Sequence, residues 1–160
     1  MKRLTLVRHA KSDWSVAGQP DWERTLNARG LKDAPEMGRR LRERKLKPDC
    51  ILTSPAVRAL NTATLLAKEL GLSADKLQKD ERLYHAAPNV ILEVIRELGG
   101  TARHVLVVAH NPGLTEFSDQ IASDRRIDHM PTCAVVTASV DVRQWTDLDW
   151  QCGKEVELDY

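Results

Sequence analysis

The stretch LTLVRHAKSDW (residues 4–14) begins with an apolar run that leads directly into an arginine and a histidine. The apolar part lacks polar alternation, which is typical of a strand that is buried on both faces of a parallel sheet. The stretch HVLVVAHNPG (residues 104–113) repeats this arrangement, with His110 at the end of its apolar run. Both stretches therefore predict buried strands that deliver polar, reactive side chains at their carboxyl ends.

The composition is that of an ordinary globular protein, with 42% hydrophobic and 29% charged residues. A length of 160 residues predicts a single domain over residues 1–160. The net charge of +1 argues against a nucleic-acid or membrane-surface binder, and the apolar runs are too short to span a bilayer. The three cysteines are widely and irregularly spaced, which favours reduced thiols in a cytoplasmic protein.

Helical patterns separate the predicted strands. The first covers residues 28–44 and has Asn27 as its cap. Its apolar side is predicted to consist of Leu31, Ala34, Met37 or Gly38, and Leu41. A second helix follows Ser54, a predicted cap, and ends at Gly71.

The end of the chain has a different pattern. AVVTASVDV (residues 134–142) alternates apolar and polar residues, which predicts a half-exposed antiparallel strand. Residues 154–159 (KEVELD) predict either another edge strand or a tail. The alternation of strands and helices predicts an α/β three-layer sandwich: a mostly parallel central sheet, helices on both faces and an antiparallel C-terminal edge strand.

In an open α/β sheet, ligands bind beyond the carboxyl ends of the strands. Arg8 and His9 follow the first strand, His110 follows the last apolar one, and Arg58 lies just after the second. Arg58 is predicted in the opening turn of a helix, where free N–H groups favour an anion. We therefore expect these four side chains to converge on one cationic pocket.

Metal-ligand motifs and basic runs are two further features of the sequence that bear on function. The chain has neither a His pair at i and i+4 with an acid between nor a Cys-x-x-Cys motif, so we expect no metal and no other cofactor. The basic run RRLRERKLK (residues 39–47) is expected to form the solvated side of a helix, with a docking patch as the alternative.

Three motifs resemble those of the histidine phosphatase superfamily, which includes the phosphoglycerate mutases. They are LVRHA, TSPAVRALNTA and VVAHNPG, and they occur in the family's order along nearly the whole chain. The motifs RHA and HNPG, together with the small size, are similar to the SixA-type branch of phosphohistidine phosphatases. The resemblance implies a phosphoglycerate mutase-like fold.

The resemblance also implies roles for individual residues. His9 would be the nucleophile that forms a phosphohistidine intermediate, which water then hydrolyses. Arg8, Arg58 and His110 would bind the transferring phosphoryl group, and the arginines would supply the positive charge that a metal would otherwise provide. Arg24, in ERTLNARG, would lie near the site.

The segment after His9 departs from the wider family. The mutase-like members read R-H-G-x-T-x-W-N, whereas this chain reads RHAKSDWS. Ser12 fits the threonine position, and Ser15 stands where an asparagine helps to bind phosphate. Lys11 is expected either to be solvated or to contact an acidic substrate group.

The segment DERLYHA (residues 80–86) departs at the position of the family's acidic glutamate. It places His85 there, with Glu81 and Asp80 as alternative acids. Because a phosphate ester needs a proton on its leaving group, the missing glutamate favours a P–N substrate. We expect a phosphohistidine side chain of a signalling or phosphotransfer protein. The alternatives are a small-molecule phosphomonoesterase and a non-catalytic module that binds phosphate or a phosphoprotein.

Overall fold

A computed structural model describes residues 1–160, which form six β-strands, four α-helices and several short 3-10 turns. In chain order, the elements are β1 (Lys2–Arg8), α1 (Ala28–Glu43), β2 (Cys50–Thr53), α2 (Val57–Leu70), β3 (Leu77–Lys79), α3 (Pro88–Leu98), β4 (His104–Ala109), α4 (Gly113–Ile121), β5 (Val135–Val140) and β6 (Gly153–Asp159). No helix has the length and apolar character needed to cross a membrane.

The strands form one sheet in the order β3-β2-β4-β1-β5-β6. The pairs β1–β4, β2–β4 and β2–β3 are parallel, whereas β1–β5 and β5–β6 are antiparallel. Residues 153–159 thus form an edge strand rather than a tail. The predicted mostly parallel sheet with an antiparallel C-terminal edge is confirmed.

Each face of the sheet packs against a separate hydrophobic core. Helices α1 and α2 cover one face, to which Val7 of β1 points. Helices α3 and α4 cover the other face, to which Leu4 and Leu6 of the same strand point. Because successive side chains of a strand point to opposite faces, an all-apolar strand supplies both cores. The predicted three-layer sandwich is confirmed, and its rigid central strands position the residues that follow them.

Helix α1 begins as predicted, with the Asn27 side chain accepting a hydrogen bond of 2.9 Å from the N–H of Gly30. The predicted apolar side was wrong at Leu31, which is 54% exposed. Gly30 lies in the buried row instead, which continues through Ala34, Met37, Gly38 and Leu41. Leu31 is one residue, about 100° of helical rotation, away from that row.

Strand β5 is buried along its whole length, so the prediction of a half-exposed strand was wrong. It lies between β1 and β6, and both of its faces are covered. Its polar residues Thr137 and Ser139 are buried, and the Thr137 hydroxyl lies 3.4 Å from a guanidinium nitrogen of Arg44. The alternation of threonine and serine with apolar residues therefore suggested a solvated face that this strand does not have.

Candidate active site

A cavity of about 240 Å³ lies at the carboxyl ends of the central strands. This is the edge of the sheet at which open α/β proteins bind ligands. Its lining consists of Arg8, His9, Lys11, Ser12, Trp14, Asp21, Arg24, Arg58, His85, His110, Asn111 and Thr132. The structure therefore brings together the four side chains that the sequence predicted to converge.

The register of β1 and β4 places two histidines side by side. The parallel ladder pairs Arg8 with Ala109, and the next residue on each chain segment is a histidine. His9 and His110 are both buried, and their ring centroids lie 5.2 Å apart. Backbone pairing between two core strands thus sets the spacing of these two rings.

His9 presents a free ring nitrogen. Its Nδ1 lies 2.8 Å from the carbonyl oxygen of Ala10, which only accepts, so Nδ1 carries the proton and Nε2 keeps its lone pair. Burial lowers the pKa of His9 to about 4, the bond to Ala10 opposes this, and the charges of nearby arginines lower it further. The ring is therefore neutral at physiological pH, the state in which histidine is a nucleophile.

His110 is held in a defined tautomer. Its Nδ1 lies 3.4 Å from Nη2 of Arg58, which only donates, so Nε2 carries the proton and donates to the Ser54 hydroxyl at 2.8 Å. Burial, followed by the charges of neighbouring groups, lowers the pKa of His110 to about 2. The prediction that Ser54 caps α2 was wrong. Its hydroxyl accepts from the N–H of Ala56 ahead of the helix, and α2 begins at Val57 without a side-chain cap.

Arg8 and Arg58 contribute positive charge to the cavity, which Lys11 and Arg24 also line. Arg58 lies in the first turn of α2, as predicted, and is almost fully buried. Arg8 donates through Nη1 to the carbonyl oxygen of Met130 at 3.1 Å. The Nε atoms of Arg8 and Arg58 are buried without a hydrogen-bond partner. Because an unpaired buried donor costs free energy, these side chains favour an anion in the cavity they line.

Asp21 is the unexpected member of the cavity, because it brings a carboxylate into a cationic site. Its Oδ2 accepts from Arg58 Nη2 at 2.9 Å, the Tyr84 hydroxyl at 2.6 Å and His85 Nε2 at 2.9 Å. Its Oδ1 accepts from Arg24 Nε at 3.1 Å, and its carbonyl oxygen accepts from Arg58 Nη1 at 2.7 Å.

The protonation state of Asp21 follows from these contacts. Burial alone would raise the pKa of Asp21, but the hydrogen bonds from Tyr84, His85 and Arg58, with the Arg58 charge, outweigh it. They hold this pKa far below its usual range. Asp21 is therefore ionised at physiological pH and acts as a hydrogen-bond acceptor.

The three candidate acids lie in different places. His85 lines the cavity and lies on Asp21. Asp80 and Glu81 do not line it. Asp80 instead accepts from the backbone and guanidinium of Arg82, and these hydrogen bonds lower the pKa of Asp80. The structure thus brings only His85 of the three to the predicted site.

The residues predicted at the outer part of the site also differ in whether they line the cavity. Arg24 is buried, donates to the Ser12 hydroxyl at 2.5 Å and has its guanidinium carbon 3.4 Å from the ring centroid of Trp14. Lys11 is exposed at the edge of the cavity. Ser15 does not line the cavity, because its hydroxyl donates to the Asp13 carboxylate at 2.9 Å in an exposed turn. The expectation that Ser15 takes the place of the phosphate-binding asparagine is therefore not supported by its position.

Sequence reasoning missed Asp21, Tyr84 and Trp14. Asp21 lies in a polar loop without periodicity, and its partners are up to 64 residues away in the chain. One local signal was present, since an aspartate three residues before Arg24 is at a spacing that allows an ion pair. No group of three or more His, Cys, Asp or Glu side chains is arranged to bind a metal ion.

These features combine a cationic cavity with a neutral histidine, an arrangement suited to phosphoryl transfer. The family model of the histidine phosphatase superfamily (branch 1) matches residues 4–87. An uncharacterized protein of Mycobacterium tuberculosis is 31% identical over 156 residues, which cover 92% of this chain and 94% of that protein.

Solved structures give the same classification. A structure described as the phosphohistidine phosphatase SixA of Agrobacterium tumefaciens matches with a TM-score of 0.79 at 25% identity, covering 88% of this chain and 92% of that one. A SixA structure from Nakamurella multipartitia shares the fold, with a TM-score of 0.83 at 24% identity over 99% and 95% of the two chains. The chain belongs to the histidine phosphatase superfamily, in its SixA-type branch, and is a phosphatase.

Proposed function

We propose that this phosphatase removes the phosphoryl group from phosphohistidine in a protein of a signalling or phosphotransfer system. His9 Nε2 attacks phosphorus and forms a phosphohistidine intermediate, which water then hydrolyses. Arg8, Arg58 and His110 bind the phosphoryl oxygens, and their donors offset the charge that develops in the transition state. The reaction uses no metal, because the arginines provide the positive charge.

The ionised state of Asp21 is the observation on which we base the choice of a P–N substrate over a P–O substrate. It is the only carboxylate that lines the cavity, and its four donors keep it ionised, so it has no proton to give. A phosphate ester leaves as a basic alkoxide and needs a proton from a well-placed acid. A phosphohistidine that is protonated on its second ring nitrogen leaves as neutral imidazole, so it needs no acid from the site. A site with this carboxylate therefore favours P–N over P–O bonds.

The surroundings of the cavity support a protein as the substrate. Trp14 lies over Arg24, and the Trp14 side chain is 72% exposed at the edge of the cavity. Val16 and Trp22 of the same loop are also exposed. Exposed aromatic groups are common where proteins bind one another, and a protein surface around the phosphohistidine would cover them.

The proposal includes the organisation and compartment of the protein. Residues 1–160 act as one domain, because both hydrophobic cores draw side chains from elements along the whole chain. The three cysteines are free thiols, which supports a reducing compartment such as the cytoplasm.

A small-molecule phosphomonoesterase is the second candidate, and the position of His85 favours it. His85 lines the cavity, where a protonated imidazole is able to donate a proton to a leaving group. The phosphorylated metabolite would then replace the phosphoprotein as the substrate.

Turnover of a phosphohistidine protein, compared with a panel of aryl and alkyl phosphates, separates the two candidates. We expect rapid turnover of the phosphohistidine protein and slow turnover of monoesters that falls as the leaving group becomes more basic. Glu81→Gln and Asp80→Asn serve as matched controls, since neither side chain lines the cavity. Rapid hydrolysis of an alkyl phosphate that is lost on His85→Ala would replace the phosphoprotein proposal with the metabolite one.

A further inference from the structure

The contacts of Asp21 point to a second proton-handling group in the cavity. Asp21 Oδ2 accepts a hydrogen bond from His85 Nε2 at 2.9 Å. Because the ionised carboxylate only accepts, it fixes the His85 proton on Nε2 and leaves the lone pair on Nδ1. This is the tautomer control that an aspartate exerts on a histidine in catalytic triads.

The position of His85 brings its ring to the site. His85 lines the same cavity as His9, and its ring centroid lies 4.9 Å from that of His110. His110 is also the neighbour of His9, so the three rings surround one space. The His85 side chain is 49% exposed, which puts it in contact with both the cavity and solvent.

The backbone holds the His85 segment firmly. Gly113, the first residue of α4, lies so close to this segment that a Cβ atom there would overlap the carbonyl oxygen of Ala86. The Tyr84 ring lies 5.4 Å from that of His110, and its hydroxyl donates to Asp21. His85 is therefore fixed by its neighbours on both sides and by its own bond to Asp21.

We propose that Asp21 positions His85 as the general base that hydrolyses the phosphoenzyme, an inference that rests on the proposed His9 intermediate. Water attacks the phosphorus of phospho-His9, and its proton passes to Nδ1 of His85. The P–N bond breaks, its electron pair returns to Nε2 of His9, and phosphate is released. His85 then gives the proton to solvent through its exposed side. His85 is the catalytic residue of this step, and Asp21 is a positioning residue.

The lifetime of the phosphoenzyme tests this assignment. The protein is loaded with phosphoramidate, a small P–N phosphoryl donor, and the decay of the alkali-stable phosphoenzyme is followed after dilution. We expect His85→Ala and Asp21→Asn each to slow decay about tenfold or more, within the usual range for general base catalysis. Asp13→Asn is the matched control, because Asp13 is a carboxylate near the start of the same loop whose side chain accepts hydrogen bonds from Ser15 and does not line the cavity.

A double variant distinguishes positioning from loss of structure, because Asp21 also holds Arg58. If Asp21 acts through His85, the combined Asp21→Asn and His85→Ala variant decays no more slowly than the slower single variant. The proposal would be overturned if the two substitutions multiplied each other's effect on the decay rate, or if the phosphoenzyme of His85→Ala decayed as fast as that of the wild type. If Asp21→Asn fails to fold, His85→Ala still decides, since its side chain is half exposed. A wild-type protein that forms no phosphohistidine would instead contradict the proposed function.

Discussion

Replacing Arg58 with alanine should remove a large part of the transition-state stabilisation. Its side chain is only 1% exposed, so its charge acts in a medium that screens less than water. A unit charge about 4 Å from the phosphoryl group contributes roughly 4 kcal/mol at an effective dielectric constant of about 20. The ion pair with Asp21, at 2.9 Å, already offsets part of this charge. We therefore expect a loss of roughly 2.7 kcal/mol or more, about 10² in kcat/KM.

The assay is steady-state dephosphorylation of a phosphohistidine protein, with folding checked by circular dichroism. Arg82→Ala is the control, because Arg82 pairs with Asp80 and Glu97 outside the cavity and should leave kcat/KM unchanged. Arg58→Lys should recover only part of the loss, since an ammonium cannot replace the planar fork that bonds both the carbonyl and the carboxylate of Asp21. A folded Arg58→Ala protein with less than about a fivefold loss would refute the assignment of this charge to the transition state.

Further expectations concern the site and the buried His104. His9→Ala should abolish turnover and phosphoenzyme formation, and a label on serine or cysteine in the wild type would contradict the histidine mechanism. EDTA should leave activity intact, whereas tungstate or vanadate should inhibit by occupying the cationic cavity. If EDTA abolished activity and a divalent metal restored it, the enzyme would instead depend on a metal. The His9 ring should titrate by NMR near pH 4 rather than near 6.5, because burial disfavours its charged form. Burial also lowers the pKa of His104 to about 4, so protonation of His104 in the unfolded chain should by itself lower the free energy of unfolding by about 3 kcal/mol between about pH 8 and pH 4. The buried His9 and His110 add to the total difference measured by urea unfolding, and His104→Gln should remove only the share of His104.

The sequence was sufficient for the parts of the site that strands carry. Arg8, His9 and His110 follow apolar runs, and the topology of a parallel sheet brings the ends of such runs to one edge. Arg58 was predictable for a related reason, since Pro55 and the apolar stripe located the start of its helix to within two residues. Site residues at the ends of strands and helices could thus be predicted, because hydrophobic patterns in the sequence reveal where those elements begin and end.

Residues in loops could not be placed in this way. Asp21 and Tyr84 meet across 63 residues of chain, and no periodicity relates the two segments. Ser15 was assigned by alignment with a motif, yet a local turn directs its hydroxyl to Asp13. Strand β5 failed for another reason: buried threonine and serine resemble a solvated face when burial is judged from polarity alone.

The backbone register of β1 and β4 must be kept in this fold, whereas exposed positions in the loops around the cavity are free to change. One backbone register sets the distance between His9 and His110, whereas residues 13–23 and 80–87 bring Trp14, Asp21 and His85 to the cavity. Exchanges at exposed positions of the first segment, such as Val16 and Trp22, leave both the register of the core strands and the contact between Asp21 and His85 intact. Evolution, or a designer who grafts loops between relatives, is therefore able to alter which phosphorylated molecule enters while the two histidines remain 5.2 Å apart.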